Sequence, residues 1–272
     1  VGYGTKMGLA PLHTWLPDAH SESPSLVSSL LSGALLNCAF LGILRAQQVG
    51  AAAGIASFGQ DLLVGFGLLS IAIAAVFIIG QNDYKRLLAY SSIEHMGILA
   101  LGVGLGGVGI FGTLLHAVNH SFTKGMLFLV AGNILAAYRT KSVARVQGVT
   151  RVLPVSGVLW IMGFLAITGT PPFGPFLSEF TILKAAIDQG RPAVAAAYLI
   201  FLSVIFMGMA ATFLRTARGV PRPDSAVIPR AESSLTVLPP LALGVLVLLL
   251  GVYIPPSLSR VLHDAARILG GS

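Results

Sequence analysis

Long runs of apolar residues, separated by short polar stretches, dominate this chain. Four windows contain no Asp, Glu, Lys or Arg, and each is close to the roughly 20 residues that a helix needs to cross a bilayer. Two longer apolar regions have room for two spans and for one broken span. The pattern predicts a polytopic, all-α transmembrane bundle over residues 1–272. We expect spans at 24–45, 60–81, 84–103, 107–138, 152–189, 192–216 and 235–255.

Two proline-containing segments interrupt this pattern. Residues 8–16 and 169–177 share the sequence Gly-x-x-Pro-apolar-x-x-aromatic-Leu. Proline lacks the backbone donor that a continuous helix requires, and corresponding broken helices in two halves of a chain are typical of transport sites built from repeats. We therefore expect two discontinuous helices, with non-helical backbone near 8–11 and 169–175, and an inverted-repeat architecture.

Three further segments have a distinct composition. The glycine run at 102–109 predicts a tight turn between two spans, with a helix-packing face as the alternative. Residues 217–234 combine prolines and arginines and predict a hydrophilic loop on the cytoplasmic side. Residues 256–270 are amphipathic, which predicts a helix lying along the membrane interface.

Composition agrees with a membrane protein, since 55% of residues are hydrophobic and 10% are charged, against about 25% charged residues in soluble domains. The net charge of +7 does not indicate nucleic-acid binding, because the basic residues lie between spans, where the positive-inside rule places them. Ten basic residues fall in one alternating set of loops and four in the other. This bias predicts a multi-pass protein of the cell (inner) membrane, with the C-terminus outside and with His20 and Glu22 on the cytoplasmic side.

Ionisable side chains inside the apolar stretches are the candidates for function. A charge near the bilayer midplane is costly and usually faces a bundle interior or a water-filled cavity, so a row of such groups indicates a path for protons or ions. The candidates are Lys6, Glu94, His95, His116, His120, Lys124, Glu179 and Lys184.

His116, His120 and Lys124 recur every four residues. On a helix they cover an arc of about 80° and a length of about 12 Å, and imidazole readily exchanges protons near neutral pH. This geometry predicts a proton relay, although histidines in a span also hydrogen-bond neighbouring helices. Zinc binding by the two histidines is a further alternative, but no third ligand follows at metal-site spacing and Ala117 stands where a zincin has Glu.

The other candidates each have a structural alternative. Lys6 lies between Gly4 and Gly8 in the first broken segment, yet a lysine there can also snorkel to an interface. Lys184 has the same two interpretations. Glu94, with His95 beside it, could form a paired structural charge, and Glu179 follows the second break directly.

Four motifs, at residues 4–24, 82–92, 116–124 and 169–180, resemble those of the antiporter-like subunits shared by respiratory complex I, Mrp-type cation/proton antiporters and membrane-bound NiFe hydrogenases. Residues 91–97 are most similar to hydrogenase-4 component F and its formate hydrogenlyase relatives. The resemblance implies a larger helical bundle with inverted repeats, of which this chain is the C-terminal part. Val1 lies only three residues before Gly4, in the middle of an apparently functional segment, so we expect an N-terminal part that precedes it.

The resemblance also implies roles for individual residues. Lys6 matches the central lysine of the family's first broken helix, and Glu179 matches the terminal charge of the second. His116, His120 and Lys124 match the relay on the span between them. Some members carry a histidine near Ser32, so the step from Lys6 to His116 would need water or another group here.

These observations predict a proton-translocating membrane subunit of a redox-driven complex, either hydrogenase-4/formate hydrogenlyase-like or NADH:quinone oxidoreductase-like. The single Cys38 excludes an Fe–S cluster held by this chain alone. We therefore expect no catalytic centre here, and we expect Fe–S, Ni–Fe, flavin or quinone only in partner subunits. The alternatives are an Mrp-type Na⁺/H⁺ antiporter subunit and a non-pumping structural subunit.

Overall fold

The structure is a computed structural model that describes residues 1–219 and 232–271, and helices make up most of the described chain. The helix that begins at Ser25 includes a short π-helical segment at Leu31–Leu35 and continues to Ala52. The helices are α1 Gly2–Met7, α2 Trp15–Glu22, α3 Ser25–Leu30, α4 Leu36–Ala52, α5 Ala56–Ile78, α6 Tyr84–Leu105, α7 Val108–Tyr138, α8 Val149–Val152, α9 Pro154–Ile167, α10 Gly174–Asp188, α11 Pro192–Ala217, α12 Ser234–Val252 and α13 Pro256–Ile268.

The predicted spans agree with these helices. Within the described residues, six continuous helices are long and apolar enough to cross a membrane. The remaining predicted span, 152–189, is divided into α9 and α10. Most of the predicted hydrophilic loop at 217–234 lies outside the described residues. The predicted interfacial segment is α13, which packs against α7 through His263 and Phe111, whose ring centroids lie 4.2 Å apart.

Both predicted interruptions are present. The first helix ends at Met7 because Gly8 adopts a left-handed conformation, with φ 86°, and the chain becomes helical again at Trp15. The second interruption separates Ile167, the last residue of α9, from Gly174, the first residue of α10. The prolines that break each pattern therefore produce the two discontinuous helices, although residues 174–175 already belong to the first turn of α10.

The breaks are only partly enclosed by the described chain. In the first break, the Ala10 amide donates a hydrogen bond of 2.9 Å to Ser70 Oγ on α5. The side chains of Pro11, Pro171 and Pro172 are exposed. The backbone of the first break is thus tied to the bundle while its proline remains at the surface of the described chain.

Close glycine contacts bring the central helices together. A Cβ on Gly97 of α6 would lie 2.7 Å from the Gly67 carbonyl oxygen of α5, so the two backbones touch, as small residues allow in membrane bundles. In the run at 102–109, both earlier interpretations hold for different residues. Gly106 and Gly107, with positive φ, form the turn, while the other glycines of the run lie on helices.

Ion pairs place the alternate loops at two opposite ends of the bundle. At one end, Lys141 Nζ lies 2.8 Å from Glu22 and 3.7 Å from Asp83, and so joins three connecting segments. At the other end, Arg191 pairs with Asp61 at 3.0 Å. The two sets of ion pairs lie near opposite ends of α5, and we call the end with Lys141 the Lys141 end.

Candidate functional site

A cluster of buried polar side chains lies where α6, α7 and α10 meet. Each of its ionisable members is at most 7% exposed. Helix α6 is enclosed by α5 and α7 along most of its length, so nearly all its residues are buried. The cluster comprises Glu94 and His95 from α6, His116, His120 and Lys124 from α7, and Ser178 and Glu179 from α10.

A directional hydrogen-bond chain forms the centre of the cluster. The Ser178 hydroxyl donates to the Pro175 carbonyl at 2.9 Å, so its oxygen accepts from His116 Nδ1, also at 2.9 Å. His116 Nε2 is then an acceptor in the neutral ring, and His95 Nδ1 donates to it at 2.9 Å. In neutral His95, this arrangement leaves Nε2 as a buried acceptor with no protein partner among the described residues.

Lys124 is buried completely and is held by the turn of α6 that faces it. Its ammonium donates to the Leu88 carbonyl at 2.6 Å and makes a short contact with Ser91 Oγ. The third N–H of an ammonium stays available in this arrangement. Glu94 is buried in the same cluster, so the cluster contains an acid as well as the buried lysine.

His120 connects the lysine region with the His95–His116 pair. Its ring centroid lies 5.2 Å from that of His95, and neither of its nitrogens has a protein partner among the described residues. The i, i+4 spacing on α7 therefore does place His116, His120 and Lys124 on one face, as predicted from the sequence.

Glu179 closes the cluster at the second break. The left-handed Gly169, with φ 60°, lets the carboxylate approach the backbone so closely that a Cβ there would lie 2.0 Å from Glu179 Oε2. Its Oε1 is buried and has no protein partner among the described residues. The break and the acid predicted beside it are thus in direct contact.

Two predicted members lie outside the cluster. Lys6 is exposed on the described chain, and its ammonium lies 5.8 Å from the centroid of the Trp15 ring, so its role in a relay stays a prediction. Lys184 is also on the surface, where it pairs with Asp188 one turn later. A lysine that snorkels towards the interface, the alternative interpretation, describes Lys184 better than a relay does.

His20 is a buried member of this region that the sequence interpretation assigned only to a side of the membrane. Its ring stacks on Phe128 of α7 with centroids 5.0 Å apart, and Lys85 and Lys124 interact with it electrostatically. Neither ring nitrogen has a protein partner among the described residues. A signal was available, because His20 follows Leu16 by four residues and therefore shares the apolar face of the amphipathic α2.

Ser32, near the position where some members of the resembled family carry a histidine, is also buried. Ser32, in the π-helical segment, lies 2.8 Å from Ser92 through their hydroxyl oxygens. Such π-helical turns occur often at functional sites. Here the segment brings a hydroxyl to α6, two residues from Glu94, where some members of the resembled family carry an imidazole.

Comparison with known proteins identifies the family. The model of the family described as "NADH:quinone oxidoreductase/Mrp antiporter, TM" matches residues 1–206. The chain belongs to this family. It is 43% identical over 257 residues to "Hydrogenase-4 component F homolog" from Methylacidiphilum infernorum, a match that covers 94% of this chain and 53% of the relative. It is 30% identical over 278 residues to "NADH-quinone oxidoreductase subunit M" from Pseudomonas aeruginosa, covering 100% of this chain and 53% of that protein.

Chains in two solved membrane complexes share the fold. A chain in the Mrp complex from Dietzia sp. matches with a TM-score of 0.87 at 21% identity, over 98% of this chain and 57% of that chain. A chain of respiratory complex I from Thermus thermophilus matches with a TM-score of 0.83 at 29% identity, over 99% of this chain and 57% of that chain. The predicted membership and the all-α, multi-pass membrane fold are therefore confirmed, and the chain spans 53% of the length of both curated relatives.

Proposed function

We propose that this chain is part of a proton-translocating membrane subunit of a redox-driven complex of the hydrogenase-4 or NADH:quinone oxidoreductase type. The observation that carries the proposal is the buried cluster. Contacts join His120, His95, His116 and Ser178 in that order, and Lys124, Glu179 and His20 are buried with them in a bundle whose surroundings are apolar.

Protons would move along this cluster from the Lys141 end, which we assign to the cytoplasm. His20 would pass a proton to the neutral amine of Lys124, and the ammonium that results would have one N–H not used by the Leu88 and Ser91 contacts, from which the proton could leave. The unpartnered nitrogens of His120 would carry it to His95 Nε2, and Glu179 would accept it beside the second break. Lys6, at the first break, would take part separately, because the described residues show no contact between Lys6 and the cluster.

The energy for transport would come from partner subunits through conformational or electrostatic coupling. Moving one charge against 100 mV costs about 2.3 kcal/mol, and a change of two pKa units at a relay group corresponds to about 2.7 kcal/mol. A modest change in the environment of Lys124 would thus be sufficient. The redox cofactors, namely Fe–S, Ni–Fe, flavin or quinone, would reside in those partners.

We further propose that the subunit lies in the cell (inner) membrane, among other membrane subunits and a peripheral redox arm, with its C-terminus on the outer side. The ten basic residues of the alternate loops support this orientation. The Lys141 end contains six of them in the described loops and helix termini between residues 85 and 151. The opposite end would release protons.

An Mrp-type Na⁺/H⁺ antiporter subunit is the second candidate, favoured by the fold shared with the Dietzia complex. The two functions are separated by reconstituting the intact parent complex in liposomes and driving it with its electron donor and acceptor. We expect proton uptake to proceed at the same rate with K⁺ alone as with Na⁺. Proton movement that requires Na⁺ would support the antiporter instead, and turnover without any proton movement would support a structural subunit.

Substitution of His20 tests the uptake side of the cluster. His20→Gln keeps a polar side chain but removes the exchangeable imidazole, so we expect proton translocation to slow about tenfold, equivalent to about 1.4 kcal/mol in the barrier. The measurement is the initial rate of internal pH change in proteoliposomes. His263→Gln, on the exposed α13, is the matched control and should retain the wild-type rate; an unchanged rate in His20→Gln would remove His20 from the path.

A further inference from the structure

We infer that His95, His116 and Glu179 form a binding site for a single Zn²⁺ ion, or a transition-metal ion of similar chemistry, which would block the cluster when it binds. One ligand atom from each of the three residues lies within 4.8 Å of the other two. Two imidazoles with one carboxylate are a recurrent ligand set for Zn²⁺. The spacing of residues in the sequence did not reveal Glu179 as a ligand, because it is 63 positions beyond His116 and on another helix.

The donor atoms need only small movements to reach a metal. His95 Nδ1 and His116 Nε2 are 2.9 Å apart, whereas two ligands at tetrahedral angles around Zn²⁺ are about 3.3 Å apart. The Glu179 carboxylate would have to approach by about an ångström or more, and its Oε1 has no protein partner among the described residues that would hold it back. A water molecule would take the fourth position.

The surroundings support metal ligation by His116. Its Nδ1–H donates to Ser178 Oγ at 2.9 Å, and such a bond fixes the tautomer that presents Nε2 to a metal. Ser178 is itself held by the Pro175 carbonyl. The imidazole is therefore oriented before any ion binds, which reduces the conformational entropy that would be lost on binding.

Binding would displace the hydrogen that lies between the two imidazoles. A metal on His95 Nδ1 would require this hydrogen to move to Nε2 of the same ring, which has no protein partner among the described residues, because histidine binds metals as the neutral imidazole. Glu179 is the most exposed of the three residues, at 7%, so an ion would approach from its side. The ion would therefore act as a plug placed in the middle of the His95–His116 contact.

The experiment measures Zn²⁺ binding to the purified intact complex by competition with a metal-indicator dye, without turnover. We expect His95→Gln, His116→Gln and Glu179→Gln each to lose one bound Zn²⁺, or to lower the affinity for it at least about 100-fold. Loss of a mere hydrogen-bond partner of a ligand already lowers metal affinity about 10–100-fold. His263→Gln, an exposed histidine on α13, should bind as the wild type does. Equal zinc binding by the wild type and all three variants, or no binding by the wild type, would overturn the inference.

X-ray absorption at the zinc edge gives a second readout. Two imidazole nitrogens and one or two oxygens, at about 2.0–2.2 Å, are expected in the wild-type complex, and sulfur ligation would overturn the assignment. Neither measurement depends on proton transport. A complex that binds zinc here but moves no protons would contradict the proposed function alone, and one that pumps but binds no zinc here would contradict this inference alone.

Discussion

Replacing Lys124 by Gln in the intact complex is expected to lower the proton-to-electron ratio to background, with proton translocation slowed at least about 100-fold. A positioned acid–base group typically contributes a factor of about 10²–10⁴ to a proton-transfer step, and Lys124 is the one member of the cluster with a spare N–H between His20 and His120 in our scheme. The side-chain amide of Gln can still donate to the Leu88 carbonyl, which now accepts from Lys124 at 2.6 Å. The substitution should therefore leave the fold intact while it removes the charge.

Lys184→Gln is the matched control for this experiment, because Lys184 is an exposed lysine of the same chain that pairs with Asp188 at the surface. It should pump at the wild-type ratio. The measurement is the proton yield per electron in proteoliposomes, with assembly checked by size-exclusion chromatography. A wild-type ratio in an assembled Lys124→Gln complex would show that the buried lysine is structural and would favour a non-pumping subunit.

Replacing Glu179 by Gln is expected to reduce proton translocation about tenfold or more while electron transfer by partner subunits continues at least in part. Gln has nearly the same size and fits against Gly169, where the carboxylate now lies too close to the backbone for any Cβ. It cannot, however, accept and release a proton. The expected result is thus a loss of coupling and not a loss of assembly.

Asp188→Asn serves as the matched control for Glu179→Gln, because Asp188 is an acidic residue near the end of the same helix and is exposed. It should leave the proton-to-electron ratio unchanged. The decisive measurement compares electron transfer and proton uptake in the same vesicles. If Glu179→Gln pumps at the wild-type ratio, Glu179 has only a structural role at the break.

The spans and both interruptions were predictable because their causes are local. A window of apolar residues crosses a bilayer wherever it occurs, and proline at 11 or 172 breaks a helix whatever packs against it. The i, i+4 spacing of His116, His120 and Lys124 likewise fixes one helix face without reference to any other helix. For the same reason, the sequence alone predicted the part of the site that a single helix carries.

Which residues from different helices meet in the site could not be predicted in this way. The helices are apolar almost all round, so their periodicity does not distinguish the side that faces protein from the side that faces lipid. Lys6 and Lys184 were therefore candidates alongside Lys124, although the structure places the first two at the surface of the described chain and buries the third. His20 looked peripheral, yet its place on the inner face of α2 brings it against Phe128.

The sequence by itself determined that this protein is a membrane bundle with two broken helices and an unusual number of intramembrane ionisable groups. Only the tertiary structure decided which of them meet. Contact between His95 of α6, His116 of α7 and Glu179 of α10 depends on how three helices are rotated and how closely small residues such as Gly102, which faces both α7 and α10, let them approach. That rotation is set by packing between residues far apart in the chain, which no local pattern of hydrophobicity encodes.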